Sequence, residues 1–196
     1  MGGGLMAEPN PEELFDLGML SYHKQDFSKA RKYFEKACDL NIGGGCAALG
    51  RLYNDYDKGV EKNSKKAAQF YSKACELKDG WGCGFLGFLY EYGQGVEKNL
   101  TKAAQFYSKA CDLNIGLGCG ALGRLYYTGE GVEKNLIKAA YFYSKACDLN
   151  NSEGCKDLGS LYYNGEGVKQ DSKKAATLFE KACELGDQEA CEALKE

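Results

Sequence analysis

The chain has 196 residues, a formal net charge of −3, 44% hydrophobic residues and 27% charged residues. This composition excludes disordered and collagen-like proteins, and the lack of a basic excess argues against a nucleic-acid-binding protein. No uncharged apolar run in the sequence approaches the roughly 20 residues that a membrane-spanning helix needs, so we expect no membrane span.

The N-terminal residues 1–10 lack the charged start and the apolar core of an export signal. We expect them to form a flexible segment or to be a scar of cloning, with the export signal removed. Residues 11–27 contain the motif Leu17-Gly18-x-Leu20, which returns in the second helix of later units. This motif predicts an N-terminal capping helix over residues 11–27.

From residue 28 onward the sequence repeats itself. The first cysteine of each unit stands at position 38, 75, 111, 147 or 183, so the period is 37 residues once and 36 residues thereafter. A period of this size is the sequence signature of a solenoid. The predicted units are 28–63, 64–99, 100–135, 136–171 and a terminal unit, 172–196.

Each unit is predicted to hold two antiparallel helices, which we call helix A and helix B. In helix A the apolar residues follow helical spacing, as in Ala67, Phe70 and Ala74. A polar residue before helix A is positioned to cap its first turn, and these caps are Asn63, Asn99, Asn135 and Asp171. Helix B ends at Gly-x-Gly-Val, where glycine adopts a left-handed cap easily. Residues 55–60 of the first unit depart from this pattern, because the loop is one residue longer and lacks the first glycine.

The ten cysteines form five couples, each with a spacing of eight: Cys38 and Cys46, Cys75 and Cys83, Cys111 and Cys119, Cys147 and Cys155, Cys183 and Cys191. This pairing predicts five local disulfides that join the end of helix A to the start of helix B, and a secreted or periplasmic protein. Zinc is a weaker alternative, because zinc ligands are closer in sequence and usually include histidine, of which the chain has only His23. A redox enzyme would need a Cys-x-x-Cys motif or a reactive thiol. We expect neither a metal nor another cofactor.

Small residues recur where the helices of neighbouring layers would cross, and closely packed helices need them there. They are Gly50, Gly87, Gly123 and Gly159, and Ala67, Ala103, Ala139 and Ala175. The predicted fold is therefore all-α: an α/α solenoid of about 36-residue helix-turn-helix repeats, forming a right-handed superhelix with a concave side.

Two recurring strings carry a family resemblance: Lys-Ala-Ala-x-Phe-Tyr-Ser-Lys-Ala-Cys-Asp-Leu-Asn and Gly-Cys-x-x-Leu-Gly-x-Leu-Tyr-Tyr-x-Gly-x-Gly-Val. Over residues 12–196 the chain resembles the Helicobacter cysteine-rich proteins, a disulfide-stapled branch of the SEL-one-like repeats and relatives of the tetratricopeptide repeats. The resemblance implies a secreted protein that is either an interaction scaffold or a penicillin-binding protein with weak β-lactamase activity. In the second case it would be a hydrolase that contributes to antibiotic resistance. The resemblance identifies no catalytic motif in this sequence.

A serine β-lactamase would show Ser-x-x-Lys, then Ser-Asp-Asn or Tyr-x-Asn, then Lys-Thr-Gly. The chain has Ser21-x-x-Lys24 and Tyr162-x-Asn164 but no Lys-Thr-Gly, and a single histidine excludes a metallo-β-lactamase. Ser21 and Lys24 are therefore weak catalytic candidates. The alternative is that Ser21 and His23 occupy a solvated turn.

Partner contacts are expected where residues break the repeat pattern. A polar stripe on helix A is the expected lining of the concave groove, or alternatively a solvated face: Gln69, Ser72, Gln105, Ser108, Tyr141 and Ser144. Aromatic residues on helix B of the second unit are candidate partner contacts, or alternatively pack between repeats: Trp81, Phe85, Phe88 and Tyr92. Arg51 and Arg124 occupy the same position of helix B in their repeats. They are candidates to bind a carboxylate of a partner, or alternatively are surface charges.

The sequence thus predicts a secreted, monomeric repeat protein that binds a protein or peptide along its concave groove. The alternative is a protein that binds or slowly hydrolyses β-lactams or cell-wall peptides. No nucleic-acid partner is expected.

Overall fold

The structure, a computed structural model, describes residues 9–55 and 58–196. Within these residues the chain forms eleven α-helices and no β-strand. Most of the predicted N-terminal segment 1–10 and two residues of the first return loop, 56 and 57, lie outside the described residues. The chain divides into two compact units, with the boundary between Gly82 and Cys83.

The first unit contains α1 (Pro11–His23), α2 (Phe27–Asp39), α3 (Gly43–Asn54) and α4 (Ser64–Glu76). Each of these helices packs against the next one along the chain. Ala30, Phe34, Leu49 and Leu52 form its central hydrophobic cluster and are almost completely buried. Helix α5 (Gly80–Tyr92) begins at the end of this unit.

The second unit contains most of α5, followed by α6 (Leu100–Asp112), α7 (Gly116–Thr128), α8 (Leu136–Asp148), α9 (Ser152–Asn164), α10 (Ser172–Glu184) and α11 (Gln188–Ala193). From α6 onward each helix packs against its successor, and α7 also contacts α9. The predicted succession of helix-turn-helix repeats is therefore confirmed. Among the described helices, none is long and apolar enough to cross a membrane.

The predicted caps set both ends of the helices. The side-chain oxygens of Asn63, Asn99, Asn135 and Asp171 each accept a hydrogen bond from the backbone N–H three residues later, at 2.9–3.0 Å. Each bond satisfies one of the N–H groups that the first turn of a helix leaves unpaired. At the other end, Gly129 and Gly165 cap α7 and α9 with φ of 75° and 70°, a conformation that side chains disfavour.

All ten cysteines are in disulfides, as predicted. The bonds Cys38–Cys46, Cys111–Cys119, Cys147–Cys155 and Cys183–Cys191 each join the end of a helix A to the start of the following helix B, with Cα–Cα separations of 4.5–4.7 Å. Cys75 and Cys83 are also disulfide-bonded. The four bonds with this geometry therefore each hold the turn within their repeat.

The small residues that the sequence places at helix crossings are needed there. A Cβ atom on Gly123 of α7 would lie 2.7 Å from the Tyr143 ring of α8, which is closer than packed atoms approach. The same relation joins Gly87 to Tyr107 and Gly159 to the Phe179 ring. These crossings set the spacing between successive repeats.

Candidate functional site

A groove of about 520 Å³ runs along α6 in the second unit. We call it the α6 groove. Its lining residues come from α6, from α7 and the loop that follows it, and from α8: Thr101, Ala104, Gln105, Ser108, Lys109, Leu122, Tyr126, Gly131, Val132 and Phe142. Gln105 and Ser108, two residues of the predicted polar stripe, therefore lie on the wall of a real depression.

Two aromatic rings contribute to the apolar part of the groove. The Tyr126 and Phe142 rings are stacked, with centroids 5.6 Å apart and an interplanar angle of 6°. On Tyr126 the Lys138 ammonium lies 5.2 Å from the ring centroid, within cation–π distance. The depression therefore combines an apolar surface with a positive charge close by.

The charge of the lining itself is positive. Lys109 is charged, whereas the other nine lining residues are uncharged. The chain as a whole has a net charge of −3, so this surface differs in sign from the average of the protein. A positively charged groove favours a ligand that carries a carboxylate.

The exposed face of α8 extends the apolar surface beyond the groove. Ile137 and Tyr141 are 72% and 63% exposed, the two highest values among the large hydrophobic residues described. The Tyr141 ring meets the ring of Phe142 edge-on, with centroids 5.1 Å apart. Because Phe142 also lines the groove, Tyr141 and the groove form one continuous surface, with Ser144 half-buried further along α8. We call the α6 groove with Ile137 and Tyr141 the α6–α8 face.

The remaining stripe residues, Gln69 and Ser72, lie on α4 in the first unit. Gln69 is exposed and Ser72 is half-buried. They occupy the positions on α4 that Gln105 and Ser108 occupy on α6.

The predicted aromatic residues of α5 are largely exposed. Trp81, Phe88 and Tyr92 are 48%, 41% and 54% exposed, and Phe85 is half-buried. The Phe88 and Tyr92 rings lie against each other, with centroids 4.6 Å apart. Much of this aromatic surface therefore faces solvent.

The two candidate arginines each hold a carboxylate of their own chain. Nε of Arg51 lies 3.6 Å from Oδ2 of Asp55, one turn along α3, at an exposed position. Nη2 of Arg124 donates to Oε1 of Glu91 at 2.5 Å, and Glu91 is 5% exposed. The two arginines, equivalent in the sequence, therefore differ in their environment.

Glu91 is a residue that the sequence analysis missed. Its Oε2 also accepts a hydrogen bond from the Tyr107 hydroxyl, at 2.5 Å. Burial, together with the hydrogen bond to Glu91, raises the pKa of Tyr107 well above its usual range, so this hydroxyl remains a donor. The sequence does contain a signal for Glu91, because it is an acidic residue at a position where other repeats have the uncharged residues Asn54, Tyr127 and Tyr163.

Tyr126 and Phe142 were also not predicted as groove residues. The same residue types occur at these positions in other repeats, and binding residues were expected mainly where the repeats differ. Tyr90 and Phe106 stack in the same way, with centroids 5.5 Å apart. Stacked pairs are thus a repeated feature, whereas their neighbours on the surface vary.

The catalytic candidate Ser21 does not lie in a solvated turn, and that expectation is wrong. Ser21 belongs to α1, is 6% exposed, and donates a hydrogen bond from Oγ to the carbonyl oxygen of Leu17 at 2.9 Å. His23 and Lys24 are exposed at the end of the helix. The serine hydroxyl is therefore enclosed by the packing of α1.

A cluster of charged residues joins α9 to the C-terminal segment. Nζ of Lys156 donates to Glu189 at 2.8 Å and lies 3.6 Å from Oδ2 of Asp187. The neighbouring Asp157 is partly buried, and burial, with a smaller contribution from Glu153, raises its pKa to about 6. This cluster holds the last helix rather than opening a cavity.

Comparison with known proteins gives the following matches. Four stretches, residues 44–79, 82–115, 117–151 and 152–187, match the family model described as "Sel1 repeat", and residues 11–43 match "Tetratricopeptide repeat". The Sel1 matches begin close to helix B, half a repeat away from the units set by the cysteines.

Two Helicobacter pylori strain J99 proteins share shorter stretches. HcpC is 60% identical over 63 residues, which are 32% of this chain and 21% of that protein. The protein named "Beta-lactamase HcpA" is 53% identical over 62 residues, which are 32% of this chain and 24% of that protein. The matches therefore span a quarter or less of these relatives.

Solved structures show the same fold. Helicobacter pylori cysteine rich protein B is 47% identical with a TM-score of 0.56, covering 69% of this chain and 97% of that one. A Sel1 repeat protein from Oxalobacter formigenes has a TM-score of 0.86 at 28% identity, covering 92% and 75% of the two chains. The c5321 antigen of uropathogenic Escherichia coli has a TM-score of 0.84 at 27% identity, covering 94% and 40%.

Proposed function

Because this chain belongs to the Sel1 repeat family, we propose that it binds an extended segment of a partner protein along the α6–α8 face. The α6–α8 face is the observation that carries the proposal. Repeat proteins expose long rows of equivalent side chains, and residues that depart from the repeat give a row its specificity.

The side chains of this face suit an extended peptide. Gln105 and Ser108 carry hydrogen-bonding groups that can pair with the backbone of a peptide. Tyr126 and Phe142 offer an apolar surface for one of its side chains, and Lys109 and Lys138 favour a neighbouring carboxylate. We propose a partner segment that combines an apolar residue with an acidic one.

Ile137 and Tyr141 are the expected centre of binding. A partner that covers their exposed surface removes apolar area from water, at about 25 cal/mol per Å². Interface energy concentrates at such aromatic and apolar anchors. The equivalent positions of α6 carry Thr101 and Gln105, so the anchor belongs to one repeat only.

The disulfides indicate an extracytoplasmic protein, because such bonds persist in oxidising compartments. Within this class we propose a secreted or periplasmic location. In either compartment the disulfides can persist, and the partner is a protein of the same compartment or of the surroundings.

Selection of a random peptide phage library against the oxidised chain tests this proposal. The selected peptides are measured by calorimetry against the wild type and the double variant Ile137→Thr, Tyr141→Gln, which restores the residues of α6. We expect the double variant to lose about tenfold or more in affinity. The control variant Gln69→Ala changes an exposed stripe residue of the first unit. Peptides that bind the double variant as well as the wild type would contradict the proposal.

Hydrolysis of β-lactams is the activity that the name of HcpA suggests. In this chain the serine of the Ser-x-x-Lys match is buried and hydrogen-bonded to Leu17. A nucleophile has to reach the substrate carbonyl and to stand beside a base. The geometry at Ser21 therefore favours the binding function over hydrolysis.

A further inference from the structure

A second surface of the second unit carries the features of a binding site. It consists of Phe88 and Tyr92 on α5, whose rings lie 4.6 Å apart, and Arg124 on α7. Arg124 is bonded to Glu91 of α5 and interacts electrostatically with Tyr92, so the three side chains lie together, and we call them the aromatic–arginine patch. Phe88 and Tyr92 are 41% and 54% exposed, and the Arg124 side chain is 36% exposed. The patch shares no residue with the α6–α8 face.

The patch departs from the repeat at both aromatic positions. Where α5 has Phe88, the equivalent residues are Arg51, Arg124 and Ser160, and where it has Tyr92, they are Asp55, Thr128 and Asn164. The fold is thus built elsewhere with polar residues at these positions. Packing alone does not require two exposed aromatic rings here.

Buried residues beneath the patch fix the position of Arg124. Glu91, 5% exposed, fixes Nη2 of Arg124 at 2.5 Å, and the Tyr107 hydroxyl in turn fixes the Glu91 carboxylate. The Glu91 carboxylate is buried while the Arg124 side chain is 36% exposed, so the guanidinium is the part of this ion pair that a partner can reach. A guanidinium carries five N–H donors in a planar fork, which is preorganised for a carboxylate.

We propose that the aromatic–arginine patch binds a protein segment in which an acidic side chain lies beside a bulky apolar one. The two rings bury the apolar side chain, and the guanidinium pairs with the carboxylate. Aromatic residues and arginine are the residue types that most often dominate binding energy at interfaces. A bidentate arginine–carboxylate pair adds strength and orientation.

The probe is the acetylated, amidated tetrapeptide Trp-Asp-Leu-Glu, titrated into the ¹⁵N-labelled, oxidised full chain and followed by NMR. We expect saturable shifts of amide signals in α5 and α7 at peptide concentrations up to about 5 mM. The neutral analogue Trp-Asn-Leu-Gln should bind at least about tenfold more weakly, because it cannot pair with the guanidinium.

The variants use residues that the fold already accepts. Phe88→Ser with Tyr92→Thr installs the residues of α9 and α7 and leaves the Glu91–Arg124 pair in place, so it separates binding from folding. It should weaken the shifts about tenfold, whereas Leu20→Gln, at an exposed apolar residue of the first unit, should leave them unchanged. Absence of shifts, shifts confined to α6 and α8, or equal binding by the double variant or the neutral analogue would overturn the proposal.

Discussion

Arg124→Gln should destabilise the protein far more than the equivalent change in the first unit. The substitution removes the guanidinium that lies 2.5 Å from the Glu91 carboxylate, and Glu91 is 5% exposed. What remains is a buried carboxylate that still accepts a hydrogen bond from the Tyr107 hydroxyl. Removal of only one partner of a buried ion pair leaves an uncompensated buried charge, which strongly lowers the free energy of unfolding.

The magnitude follows from the geometry. Loss of one partner of a buried pair costs about 3–5 kcal/mol, and the partial exposure of Arg124 lowers our expectation to about 2–4 kcal/mol. With a urea m-value of about 1–3 kcal/mol/M, the unfolding midpoint should fall by roughly 1–2 M. The assay is urea unfolding of the oxidised protein, followed by far-UV circular dichroism.

Arg51→Gln is the matched control, because Arg51 is 57% exposed and lies 3.6 Å from Asp55. An exposed pair of this kind contributes less than about 1 kcal/mol. The double variant Glu91→Gln, Arg124→Gln removes the buried charge as well and should recover much of the loss. Equal effects of Arg124→Gln and Arg51→Gln, or a double variant less stable than Arg124→Gln, would refute the reasoning.

Three further predictions use other parts of the second unit and the N-terminal helix. Asp157→Asn should stabilise the protein by on the order of 1–2 kcal/mol at pH 8, and this gain should vanish below about pH 3. The Asp157 pKa is about 6 in the folded chain against 3.8 otherwise, so the stability of the wild type falls as pH rises through this window. Urea midpoints at a series of pH values measure the effect. Gly123→Ala should cost about 1–3 kcal/mol because its Cβ would lie 2.7 Å from Tyr143, whereas the control Gly84→Ala, with 3.6 Å to its nearest neighbour, should be neutral or stabilising in thermal unfolding. Incubation with a penicillin should leave no acyl adduct on the protein and no hydrolysed drug by mass spectrometry, because the Ser21 hydroxyl is bonded to the Leu17 carbonyl oxygen. An adduct that forms on the wild type and not on Ser21→Ala would instead identify Ser21 as a catalytic nucleophile.

The fold was predictable from the sequence because its determinants are local and repeated. Asn99 caps α6 three residues before Lys102, and Cys111 and Cys119 are eight residues apart, so a single unit contains the signal and five units confirm it. Gly123 was recognisable for the same reason, since small residues recur at every crossing. Helix caps, short disulfides and small residues all act within or between adjacent helices.

The candidate site was predictable only in part. Gln105 was found as part of the polar stripe and Tyr141 as a departure from the repeat. The α6 groove also depends on Tyr126, Val132 and Phe142, which three separate elements bring together. The Glu91 network joins residues 16 and 33 positions apart, and a single sequence gives no measure of which distant polar residues meet. Burial decides the role of Glu91, and burial is a property of the packed repeats.

The positions that vary between the repeats are free to vary because others hold the architecture. In α8 the cap, the disulfide and the buried residues Ala139 and Tyr143 repeat those of α6, so Ile137 and Tyr141 can replace Thr101 and Gln105 without repacking the core. An exposed isoleucine gains nothing for folding, since its apolar surface stays in water. Its stabilising effect appears only when a partner covers it. The same reasoning applies to Phe88 and Tyr92, and for this reason we place binding at the departures from the repeat rather than at the residues that build it.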